Sequence, residues 1–63
     1  MGTVYFEFRA IGNSMRVAAV DADSGIEVHV IAPAGSSRAD MERIAMRKLE
    51  RRLARERTGG QGA

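Results

Sequence analysis

Between Arg38 and Arg57 the chain contains neither glycine nor proline, and that run is twenty of its 63 residues. Within it Met41, Ile44, Ala45, Met46, Leu49 and Leu53 recur at helical spacing and form one stripe. Ser37-Arg38-Ala39-Asp40, where the run begins, has the spacing of a capping box, with Asp in place of the longer Glu. Asp40 and Glu42 fall in the first turn, where negative charge suits the positive end of the helix dipole. The sequence therefore predicts one long helix from Arg38 to about Arg57, whose stripe needs an apolar surface to cover.

The preceding residues supply that surface as strands. Val4 to Arg9, VYFEFR, alternates: Val4, Phe6 and Phe8 point one way, Tyr5, Glu7 and Arg9 the other. Gly12-Asn13 tolerates positive φ and fits a tight hairpin turn. Met15 to Val20 is a second strand, and Asp21 to Gly25 is dense in turn formers. Ile26 to Ile31, IEVHVI, alternates again, and Ala32-Pro33-Ala34-Gly35 breaks the pattern. Side-chain parity sets the register. A two-residue turn pairs Ile11 with Ser14, Phe8 with Val17 and Phe6 with Ala19. A four-residue loop over 22–25 pairs Asp21 with Ile26, Ala19 with Val28 and Val17 with Val30. A three-residue loop would turn Glu27 and His29 onto the phenylalanine face.

The expected architecture is α+β: a three-stranded antiparallel β-meander with one long C-terminal helix packed on one face, in the order βββα. Residues 1–57 form a single domain and residues 58–63 a flexible tail. Phe6, Phe8, Val17, Val28, Val30, Ile44, Leu49 and Leu53 are expected to be buried together. The core is thin: once alanine is set aside, eighteen larger apolar side chains remain. With no cysteine and one histidine, the chain cannot add a disulfide or a thiolate or imidazole-rich metal site. Self-association is the remaining supplement for a domain of this size.

No apolar run approaches the ~20 residues of a membrane span, and the start MGTVYFEFRA lacks the pattern of a secretory signal. A soluble cytoplasmic protein is expected. Charge is asymmetric: residues 1–37 carry net −2 and residues 38–63 net +4, so the positive charge belongs to the helix segment.

Catalytic readings find no support. Asp21-Ala22-Asp23-Ser24-Gly25 looks like the start of a calcium loop, but its glycine stands one position early and the distant Glu is missing. His29 points away from the predicted core, beside Glu27 and Glu7, with no nucleophile near it. Ser14, Ser24, Ser36 and Ser37 sit at turns or the helix start, where serine belongs structurally. Gly12, Gly25 and Gly35 are too far apart for a phosphate loop. No enzyme activity, cofactor, metal or small-molecule substrate is expected.

The segments VYFEF, the Gly12-Asn13 turn, VDADSGIEV, the Ala32-Pro33 break and RKLERRLA together resemble a family of small uncharacterised alphaproteobacterial proteins, a domain of unknown function. The resemblance covers roughly residues 4–54 and implies a bacterial, cytoplasmic protein with no assigned role. The stretch GSSRADMERIAMRKLERRL, following three strands, is also similar to the C-terminal two-thirds of a double-stranded RNA-binding domain. That likeness implies RNA contact through a first helix, a hairpin loop and a basic cluster opening the last helix. This chain has no counterpart of the first helix, and its helix opens with Arg38 alone, with Asp40 and Glu42 close behind.

Two functional classes stay open. The first is a protein-interaction module, self-associating or docking on another protein through the sheet face that the helix leaves free. That face carries Tyr5, Ala18, Val20, His29 and Ile31. Pairing along an edge strand is the competing geometry. The second is an RNA- or DNA-binding module using the basic helix face, with Arg38, Arg47, Arg51 and Arg55 as phosphate contacts. Binding to a membrane is not expected, because the apolar stripe is needed for the sheet.

Overall fold

A computed structural model of the chain describes residues 2–62, with the side chains of residues 2–57. Three strands, β1 (Val4–Ile11), β2 (Ser14–Asp21) and β3 (Glu27–Pro33), are followed by one helix, α1 (Arg38–Gly62). The strands form a single antiparallel sheet in the order β1-β2-β3, so the fold is α+β with the sequence βββα. The tail expected over residues 58–63 lies outside the described side chains.

The register is the one that parity requires. Ile11 lies opposite Ser14, Phe8 opposite Val17 and Phe6 opposite Ala19. Ala19 lies opposite Val28 and Val17 opposite Val30. In the first turn Gly12 takes φ 57° while Asn13 does not enter the left-handed region. Glycine at the first central position is the pattern of a type II′ hairpin turn, whose twist matches the flanking strands. In the second hairpin Gly25 takes φ 77°, and its N–H donates to Asp21 O at 2.8 Å. Asp21 Oδ2 accepts from Ser24 N at 3.0 Å and from Ser24 Oγ at 2.7 Å. Asp21 is buried, and those bonds replace the water that it loses.

The strands run further than alternation alone suggests. β1 continues to Ile11, and β3 starts at Glu27 and continues through Ala32 to Pro33. Proline is tolerated there because β3 is an edge strand, and Ala34 N donates to Asn13 O at 3.0 Å beyond it. Ala32 thereby joins the core instead of a loop.

Ser37 Oγ accepts from Asp40 N at 3.1 Å and caps the start of α1. The other half of the capping box does not form, because the Asp40 carboxylate pairs with Arg43. From there Met41, Ala45 and Leu49 descend at i, i+4 and i+8 onto Val17, Ala19, Val28 and Ala32, and these seven form the core. Alanine at 19 and 45 keeps that seam thin. The helix rests over β2 and β3 and scarcely meets β1.

This placement corrects the expected core in two ways. Phe6, Phe8, Val30 and Leu53 pack around the core only partly buried; for Phe6 and Phe8 the reason is that the helix scarcely extends over β1. Ile44 lies outside the core altogether, 48% exposed. It precedes Ala45 by one residue and is turned about 100° away from the Met41–Ala45–Leu49 line. Among the described residues no helix is long and apolar enough to cross a membrane.

Candidate interaction surfaces

The sheet face opposite the helix is a grid set by the ladder. Tyr5, Val20 and Glu27 form one row, Glu7, Ala18 and His29 the next, and Arg9, Arg16 and Ile31 the third. Tyr5 and Ile31 are 60% and 64% exposed, at diagonally opposite corners. Val20 is half-buried beside Tyr5. Ala18 was expected as part of an apolar patch, but it is 5% exposed. It floors a dimple walled by Glu7, Arg9, Arg16, Glu27 and His29, because those long side chains lean over the short one between them. The middle of the face is therefore charged, and its apolar atoms are divided between two ends. His29 Nε2 lies 3.0 Å from Glu27 Oε2, and its backbone carbonyl accepts from Lys48 Nζ at 2.6 Å.

Ile11 belongs to this face as well. It is in phase with Tyr5, Glu7 and Arg9 and is 51% exposed. Ending the first strand at Arg9 hid it; the same alternation carried two residues further would have placed it.

The helix arginines divide into two groups. Arg47, Arg51 and Arg55 stand exposed in one row, and none has an ion-pair partner among the described residues. Arg38 does not share that row. Its guanidinium lies 4.7 Å from the centroid of the Phe8 ring, and its Nε donates to Glu42 Oε2 at 3.1 Å. It closes the core over β1, where a cation on an aromatic face is favourable. Arg52 pairs with Glu56 at 3.2 Å.

Two concavities flank α1. A cleft of about 480 Å³ lies between the second hairpin loop and the helix, lined in part by Asp21, Asp23, Glu50, Leu53 and Glu56. Asp21 there is occupied by Ser24, and no group of three or more histidine or acidic residues able to hold a metal ion occurs among the described residues. A shallow groove of about 610 Å³ runs between β1 and α1 over Val4, Phe6 and Met46. It is the space that the helix leaves by lying over β2 and β3.

The described side chains bring no nucleophile to His29 and no basic group to a free carboxylate pair. What the arrangement offers is surface: a β1 strand open along its edge and half open on its inner face, a charged outer face and a row of arginines without an ion-pair partner among the described residues. No curated protein and no solved structure matches this chain. A protein family described as a domain of unknown function, DUF6898, matches residues 1–56, and the chain belongs to that family.

Proposed function

We propose that this chain is a small non-catalytic protein-interaction module whose partner is a second copy of itself. The observation that carries this reading is the placement of its aromatic residues. Tyr5, Phe6 and Phe8 are all the aromatic residues in the sequence, and all three sit in β1, the strand that the helix covers least. Phe6 and Phe8 are only partly buried and Tyr5 is 60% exposed. Leaving aromatic surface wet in a domain with so thin a core forgoes stabilisation that its burial would add. A second copy would recover it. Sedimentation equilibrium of the full chain from micromolar to millimolar concentration tests this. The mass should rise with concentration from that of one chain, 6.8 kDa, to twice that. A single 6.8 kDa species throughout would contradict self-association.

One observation favours nucleic acid as a second reading: Arg47, Arg51 and Arg55 form an exposed row with no ion-pair partner among the described residues. Phosphate contact would release counterions, so binding would fall steeply with added salt. A gel-shift titration with RNA and DNA at low salt decides it. Binding should vanish in an Arg47→Glu, Arg51→Glu, Arg55→Glu variant, and no shift for the natural chain would dismiss this reading.

A further inference from the structure

The two edges of the sheet are not alike. In a two-residue hairpin the residues flanking the turn exchange both hydrogen bonds, and the ladder alternates from there. Ile11 and Ser14 flank the turn, so the odd-numbered residues of β1 bond to β2. The even-numbered Val4, Phe6, Phe8 and Ala10 turn their N–H and C=O groups to the open edge. The bond from Ala22 N to Thr3 O, 3.0 Å, keeps the same phase. On the opposite edge the phase is set by Asp21 N bonding to Ile26 O at 2.9 Å. There the outward residues are Glu27, His29, Ile31 and Pro33. Pro33 has no N–H to offer, and the His29 carbonyl is taken by Lys48. Proline and lysine are common guards of an exposed edge. β1 has neither residue, and its outward set is wholly apolar.

We infer that two copies of the chain pair antiparallel along β1, about a two-fold axis at Phe8, and join two three-stranded sheets into one of six strands. The inference rests on the self-association proposed above and names its surface and register. With the axis at Phe8, Glu7 lies opposite the partner's Arg9, and Arg9 opposite the partner's Glu7. Tyr5 lies opposite the partner's Ile11, and Phe6 opposite the partner's Ala10. Each match addresses something that a single copy leaves open. Neither Glu7 nor Arg9 has an ion-pair partner among the described residues. Arg9 instead stands directly across from Arg16, a like-charge pairing that costs stability. Tyr5 and Ile11 are two of the four exposed large apolar side chains among the described residues, and facing each other they would shield both.

The neighbouring registers do worse. With the axis at Glu7, that carboxylate meets its own copy; with the axis at Arg9, two guanidinium groups meet. With the axis at Phe6, Tyr5 faces a carboxylate and Arg9 faces Thr3. The Phe8 register alone among these sets opposite charges together and overlaps Tyr5 through Ile11. On the inner face it sets the partly buried Phe8 opposite the partner's Phe8, with Phe6 of each copy diagonal to it.

Sedimentation equilibrium on a set of full-length variants tests the surface and the register. Ala10→Pro removes an outward N–H without touching the β1–β2 ladder, and should sediment as a monomer while circular dichroism stays that of the natural chain. Val20→Lys with Ile31→Lys charges the outer face away from β1 and should leave the dimer intact. Glu7→Arg alone and Arg9→Glu alone should each weaken dimerisation by about tenfold, since both pairs turn repulsive. The two changes together should restore it. Glu7 and Arg9 are exposed and lie outside the core, so this cycle reads out even if Ala10→Pro fails to fold. Should the natural chain dimerise while the charge cycle shows no restoration, or while the outer-face variant alone dissociates, the edge pairing is overturned and self-association stands. Should the natural chain be a monomer throughout, both fall.

Discussion

Leu49 and Ile44 lie on the same helix with similar side chains, and the structure gives them opposite weights. Leu49 is fully buried over Val17 and Ala19, whereas Ile44 is 48% exposed. Leu49→Ala should cost about 2–5 kcal/mol, and Ile44→Ala no more than about 0.5 kcal/mol, as for a surface site. Urea melts of the two variants check this; equal losses would mean that the helix sits rotated from its described position. Gly12 offers a second contrast. A Cβ there would meet nothing within 4 Å, so Gly12→Ala should lose only the backbone cost of a left-handed alanine, roughly 1–2 kcal/mol. At this scale much was legible. Alternation placed Phe6 opposite Ala19 and Val17 opposite Val30 because a register slip of one residue would invert every side chain. Ile44 was not legible, since a stripe of six apolar residues is wider than the line that actually touches the sheet. Ala18 misled for a different reason: small residues are covered by whatever long neighbours stand beside them, and the neighbours here are charged.

The elements themselves follow from local chemistry. α1 begins where Ser37 caps it, and Ser37→Ala should lower stability by about 1 kcal/mol in a thermal melt. Lys48 ties the helix to β3 through the His29 carbonyl. As an exposed contact it contributes little to stability, but it occupies an outward acceptor on an edge strand. Lys48→Ala should therefore leave the melting temperature nearly unchanged while raising light scattering on prolonged incubation, as the β3 edge opens to further strands. A variant that scatters no more than the natural chain would show that Pro33 alone guards that edge. The sequence named all four elements in order. It did not reveal that the helix would settle over β2 and β3 and leave β1 half open. That choice depends on which facing positions are alanine: Ala19, Ala32 and Ala45 allow close approach there, while the phenylalanines of β1 hold the helix off.

At the scale of the whole molecule, the charge asymmetry and the open strand define what the chain can meet. The candidate interface read from strand alternation was the outer face, but its centre is charged. The strongest unmet demands lie instead along β1: unguarded backbone groups, partly buried phenylalanines, and Glu7 and Arg9 side chains without an ion-pair partner among the described residues. That arrangement could not be read from a residue list, because it depends on which carbonyl Lys48 reaches and which strand the helix leaves free. Amide hydrogen exchange followed residue by residue, at a concentration where the chain is dimeric, tests the edge pairing most directly. Glu7 and Arg9 amides bond within the sheet and should be protected at any concentration. The Phe6, Phe8 and Ala10 amides face outward and should exchange quickly in dilute solution, then become protected as the dimer forms, while the outward amides of Glu27 and Ile31 stay fast. If Phe6, Phe8 and Ala10 exchange as quickly in the dimer as Ile31 does, the two copies do not meet along β1.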